Sequence, residues 1–200
     1  MEVARNGARL RDPANYRRRL NGGVRAHWRL KHGDGDEFCL SARDALREMA
    51  TCVSPELTIA AVDSALRLKL ITSEQWHWEV EGLPHRLRRL LLRVDSRSES
   101  ITESVARFRL AMLGVETRPQ VRVPGVGRVD LLIGDALVIE LDGWEYHADR
   151  EQFERDRRRD AQLSALGYHV LRFSYRQVFE HWSEVRAAIS AAIARGDAHR

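Results

Sequence analysis

Apolar residues recur at helical spacing from Leu40 to Val94, and beyond Gln120 they gather into short runs of strand length. Ser41 with Asp44 marks the start of a helix through Met49. Ser54-Pro55 opens a second, with Leu57, Val62 and Leu66 on its apolar stripe. Thr72 with Gln75 starts a short third, in which Trp76 and Trp78 either fill a core or stack on a base. Leu83-Pro84 opens a fourth. There Leu87, Leu90, Leu91 and Val94 fall at i, i+3, i+4 and i+7, while Arg86, Arg88, Arg89 and Arg93 lie largely off that stripe.

The polar run Asp95 to Ser100 separates this helical region from the second half of the chain. A helix carrying Ile101, Val105, Phe108 and Met112 on one side ends at Gly114, a residue suited to a helix C-terminus. Strands are expected over Gln120–Val123, Arg128–Ile133 and Ala136–Leu141, joined by turns at Pro124–Gly127 and Gly134-Asp135. A charged helix then runs from Asp149 to Leu166, with Phe153, Ala161, Leu163 and Leu166 as inward candidates. Tyr168–Phe173 is a fourth strand and Ser183–Ile193 a closing helix. The helix between strands three and four has the length of a crossover, so those two strands should be parallel.

Acidic residues sit inside the apolar runs of the central hairpin. Asp130 interrupts the second strand, and Glu140 and Asp142 end the third. A carboxylate in a β-branched run is costly to bury unless it is paired or holds a cation. Three brought together by one hairpin suggest a divalent-metal site. Hairpin pairing would let Asp130 and Glu140 share an Mg²⁺ ion, which takes oxygen ligands, with the backbone carbonyl of Leu141 pointing to the same region. Glu103 could add a carboxylate or hold a metal-bound water; it also lies three residues after Ser100 and could simply complete a capping box. Asp142-Gly143 could equally be an ordinary strand-ending turn. His147 is placed to act as general acid or base, or is a surface histidine.

Composition sharpens this only modestly. The net charge is +4 and the pI about 9.5, and of the cationic residues only Lys31 and Lys69 are lysines. Arginine offers phosphate a planar, bidentate set of donors, which favours a nucleic-acid partner. Residues 1–39 form an Arg-rich N-terminal arm, either flexible or a truncated winged helix; 40–95 are the helical region and 96–200 the second domain. No apolar run approaches a transmembrane span and no secretory signal is visible. Cys39 and Cys52 have no CxxC spacing. A cytoplasmic protein with no membrane partner is expected.

The series Glu103, Val129-Asp130 and Ile139-Glu140-Leu141-Asp142-Gly143, in an αβββαβ order, resembles the PD-(D/E)xK restriction-endonuclease-like superfamily. More narrowly it resembles the domain-of-unknown-function 559 family, related to the very-short-patch repair endonuclease, over about residues 98–195. The resemblance implies an α/β fold: a restriction-endonuclease-like core, with a mixed four-stranded sheet flanked by helices, preceded by a small, mostly α-helical N-terminal region. Leu40 to Thr72 more weakly resembles the helical region found ahead of this domain in relatives.

The same resemblance implies a metal-dependent DNA endonuclease with Mg²⁺ as cofactor, Mn²⁺ substituting, and leaves DNA repair, mobile-element transfer and defence open as its pathway. Asp130 is then the principal metal ligand, with Glu140 and the Leu141 carbonyl beside it. Glu103, Asp142 and His147 complete the catalytic set. Asp156 and Arg159 fall on the family pattern, and Arg128, Arg159 and Arg172 are candidates for phosphate contact. Val129 replaces the motif proline, and Asp142 replaces the motif lysine that orients water and offsets transition-state charge. That second departure leaves a catalytically weak or inactive DNA-binding or regulatory protein as the alternative.

Overall fold

The computed structural model describes residues 40–142 and 150–199, apart from the side chains of 150–153 and 156. The expected N-terminal arm, Gly143, His147 and the side chains of Phe153 and Asp156 therefore lie outside the described residues.

Among the described residues four helices come first: α1 (Ala42–Cys52), α2 (Pro55–Arg67), α3 (Ser73–Glu81) and α4 (His85–Leu91). Their starts follow local chemistry. The Ser41 hydroxyl accepts from the Asp44 amide, Pro55 opens α2, and Thr72 and Gln75 cap α3 reciprocally. The helices close on Trp76, which is 1% exposed and donates its indole N–H to the Leu91 carbonyl at 2.9 Å. Trp78, two residues on, points out at 65% exposure.

Next come α5 (Ile101–Met112), β1 (Arg118–Val123), β2 (Gly127–Ile133), β3 (Leu137–Asp142), α6 (Arg150–Ala165), β4 (His169–Ser174), α7 (Tyr175–Glu180) and α8 (Trp182–Ala194). The sheet order is β1-β2-β3-β4, with β1–β2 and β2–β3 antiparallel and β3–β4 parallel. This is the mixed four-stranded sheet flanked by helices that the sequence pattern implied. Central β3 is buried from Leu137 through Leu141, as a strand covered on both faces must be. Its odd-numbered residues join α5, α7 and α8 in one core; Leu132 and Val138 meet Leu163 of α6 in the other. The β2–β3 turn is closed by the C-terminal turn, where Ala198 O accepts from the Asp135 amide at 2.9 Å. Gly134, at φ +61°, belongs there because a Cβ would come within 2.0 Å of that oxygen.

Three sequence expectations change. Helix α5 is not buried along a single stripe: Thr102 through Phe108 are all buried, whereas Ile101 and Met112 are 46% and 43% exposed. The reason is its position between two layers. Phe108 packs into the helical core, while Val105, Ala106 and Leu110 pack on the sheet. On α6, Leu163 is buried but Ala161 and Leu166 are exposed. Helix α7 was not anticipated, although Ser174 and Gln177 form a capping box that marks its start.

The helical layer and the sheet half are joined through buried charge. Arg107 of α5 donates to Asp63 of α2 at 2.7 Å and to the Arg93 carbonyl at 2.7 Å, and the Asp95 amide donates to Asp63 at 2.6 Å. Burial raises the Asp63 carboxyl above its ordinary value despite the Arg107 charge and these donors. Arg109 grips Glu56 with two bonds of 2.8 Å and donates to the Val178 carbonyl.

Candidate active site

The site begins where the β2–β3 ladder ends. Backbone pairing runs from Ile133↔Leu137 to Leu131↔Ile139, and the next position would set Asp130 opposite Glu140. There the Asp130 side chain takes over: its Oδ2 accepts from the Leu141 amide at 2.8 Å. Alternation along the strands places Asp130 and Glu140 on the face that carries Leu132 and Val138, under α6.

Both acids are out of reach of much of the solvent. Burial, opposed by the Leu141 amide and reinforced by the Glu103 charge, raises the Asp130 carboxyl from 3.8 to about 6. Burial and the Asp130 charge raise Glu140 from 4.5 to about 7. These are the shifts expected of two like charges forced together in low dielectric. Arg159 of α6 offsets them only in part. Its Nη2 lies 2.9 Å from Glu140 Oε1 while donating to the Arg128 carbonyl, and Glu140 Oε1 is buried without an aligned hydrogen bond.

Glu103 is 4% exposed and held from two directions. Its Oε2 accepts from the Glu99 amide and from Gln120 Nε2, each at 2.9 Å, while its own amide donates to Ser100 Oγ at 3.1 Å. The capping expectation is therefore half met: Ser100 caps α5, and the Glu103 carboxylate binds one residue further upstream. Gln120 had not been singled out from the sequence. It adopts φ +53°, a left-handed conformation inside a strand, and stands between the β1–β2 pairs that flank Asp130. Strain of this kind costs on the order of 1–3 kcal/mol and gathers at functional sites. No sequence signal announces it, because glutamine is an ordinary strand residue.

Asp142 ends β3 half-buried, in register with Ser174, and its charge adds to the rise at Asp130. The three arginines expected at phosphate surround this cluster, each in an ion pair. Arg128 is paired with Glu99, Arg159 with Glu140 and Arg172 with Asp160. His147 falls outside the described residues.

Among the described residues, no group of three or more His, Cys, Asp or Glu side chains is arranged to hold a metal ion. The pair Asp130 and Glu140 nevertheless fits a divalent cation on chemical grounds. Burial and neighbouring carboxylates raise both acids, Glu103 and Asp142 acting on Asp130 and Asp130 on Glu140, and Arg159 alone offsets Glu140 at close range. Oxygen donors of this kind suit Mg²⁺. Among the described residues, no helix is long and apolar enough to cross a membrane.

No curated protein and no solved structure matches the chain. Residues 102–193, from the second residue of α5 into the last turn of α8, match the model of a restriction-endonuclease-like family described as REase_MTES_1575, which supports a restriction-endonuclease-like superfamily for this half of the chain.

Proposed function

We propose that residues 96–200 form a metal-dependent DNA endonuclease centred on Asp130 and Glu140. The observation that carries the proposal is the junction where the β2–β3 ladder gives way to a half-buried and a buried acid, Asp130 and Glu140, offset at close range only by Arg159. The match to a restriction-endonuclease-like family over residues 102–193 supports a nuclease reading.

Asp130, Glu140 and the Leu141 carbonyl are the groups that would hold Mg²⁺ or Mn²⁺. When bound, the ion supplies charge to the phosphate oxygens and lowers the pKa of water. The chain's own residues do the rest. Glu103, fixed by Gln120 and the Glu99 amide, presents a carboxylate to orient the attacking water. Arg159 exchanges Glu140 for a phosphate oxygen of the substrate, and Arg128 and Arg172 line the approach. His147 moves the proton.

Asp142 favours a second reading. A half-buried carboxylate where the superfamily motif has lysine cannot offset transition-state charge, which suits a nuclease fold kept for binding or regulation. Plasmid nicking by wild type and Asp130→Ala, with and without Mn²⁺, separates the two. Metal-dependent nicking lost in Asp130→Ala supports the enzyme. DNA binding without nicking on duplex, single-stranded or mismatched substrates supports the module.

A further inference from the structure

Helix α4 presents a row of arginines that the fold does not use. Arg86 and Arg89 are exposed at i and i+3 of α4 with Arg88 half-buried beside them, and exposed Arg93 follows two residues beyond the last helical residue, Leu91. Among the described residues, none of the four has a carboxylate within ion-pair distance. Elsewhere Arg97, Arg128, Arg172 and Arg176 are each paired with an acid, and exposed arginines without such a pair among the described residues, Arg67, Arg122 and Arg186 included, are spread over different elements.

Helix stability does not explain the row. Arg88 and Arg89 in the last turn suit the helix dipole, but Arg86 in the first turn opposes it, and no acid stands there. The backbone beneath is fixed. Leu91 is fully buried, its carbonyl takes the Trp76 indole, and the Arg93 carbonyl takes Arg107 Nη1 at 2.7 Å. The charges therefore sit on a fixed support, with no carboxylate of the described residues within ion-pair distance.

We infer that this face of α4, with Arg93 just beyond its end, is a second nucleic-acid contact, binding the phosphate backbone of a DNA duplex apart from the Asp130–Glu140 centre. Arginine forks match phosphate bidentately. An anionic membrane fits less well, because the leucines of α4 pack inward and leave no apolar face to enter lipid. The contact rests on the proposal that the sheet half handles DNA, but its test does not require cleavage.

The test is fluorescence anisotropy of a labelled duplex in EDTA, with the full chain, across a salt series. Each duplex phosphate neutralised contributes about 0.9 to the slope of log K against log salt. The triple variant Arg86→Gln, Arg89→Gln, Arg93→Gln is expected to lose about tenfold or more in affinity near 0.1 M salt, and about two to three from the slope. The corresponding Lys triple keeps most of the slope, and Asp130→Asn binds at least as tightly as wild type. An unchanged affinity and slope in the Gln triple overturns the inference. So does an equal loss in the Lys triple at unchanged slope, or wild-type binding to phosphatidylserine vesicles but not to duplex. If the Gln triple loses duplex binding while wild type nicks no plasmid, the surface stands and the cleavage reading falls. If it binds and nicks as wild type does, the surface falls and the nuclease stands.

Discussion

Asp130 Oδ2 accepts the Leu141 amide at 2.8 Å, so one carboxylate both ends a sheet ladder and forms half of an acidic pair. The two roles separate by substitution. Asp130→Ala removes the acceptor and leaves a backbone donor short of a partner, at a cost of about 1–3 kcal/mol. Asp130→Asn keeps an oxygen acceptor and removes the repulsion on Glu140. At pH 8 and without metal, thermal melts should therefore rank Asp130→Asn at or above wild type and Asp130→Ala below both. Neither variant should nick DNA with Mn²⁺.

The raised carboxyls set the direction of the pH dependence. Between 3.8 and about 6 for Asp130, and between 4.5 and about 7 for Glu140, the folded chain holds protons that the unfolded chain has released. Metal-free stability should thus fall as pH rises through that window, each tenfold difference in proton affinity between the folded and unfolded chain being worth about 1.4 kcal/mol. A cation competes with those protons. Mn²⁺ or Ca²⁺ should raise the melting temperature at pH 8 and leave it unchanged at pH 5. Glu140→Gln should abolish the rise at pH 8, and differential scanning fluorimetry measures it.

The contact between Gln120 and Glu103 gives a separable test. Gln120→Glu keeps the shape and the strained backbone but sets a carboxylate 2.9 Å from Glu103 Oε2. Like charges at that distance force one acid to hold a proton. The variant should lose about 2–3 kcal/mol at pH 8 and recover much of it near pH 4.5, because a proton shared by the pair relieves the repulsion. Urea unfolding at the two pH values measures the difference, and equal losses at both would argue against a charge effect.

Asp63 and Arg107 tie the helical layer to α5 through a buried pair. Arg107→Met leaves Asp63 uncompensated and should cost about 3–5 kcal/mol. Replacing both, Arg107→Met with Asp63→Leu, should recover much of that loss, because the desolvation of both charges disappears. A double-mutant cycle by urea unfolding measures the coupling.

Much of this architecture was legible in the residues. Ser41, Pro55, Thr72 and Ser100 fixed helix starts because capping is local chemistry. The apolar runs and turn glycines marked three adjacent strands, and the length of the charged helix implied that the fourth would run parallel to the third. Asp130 and Glu140 stood out because carboxylates are rare in such runs. The burial of α5 on both sides was less visible, since periodicity reports one apolar face and says nothing of small polar residues such as Thr102 and Ser104 enclosed by a second layer. Trp76 and Trp78 could not be told apart by pattern; only the packing of α3 against α4 turned one inward and the other out.

The sequence by itself determined the elements, their order and the acids that interrupt them, because caps, turns and alternation act over a few residues. The tertiary structure decided what those acids do to one another. The position of Gln120 and Glu99 around Glu103, and the reach of Arg159 to Glu140, depend on elements far apart in the chain. So does the isolation of the α4 arginines, whose distance from any carboxylate among the described residues follows from where every neighbouring acid is placed. Burial and charge couple through space, and only the folded chain fixes those distances.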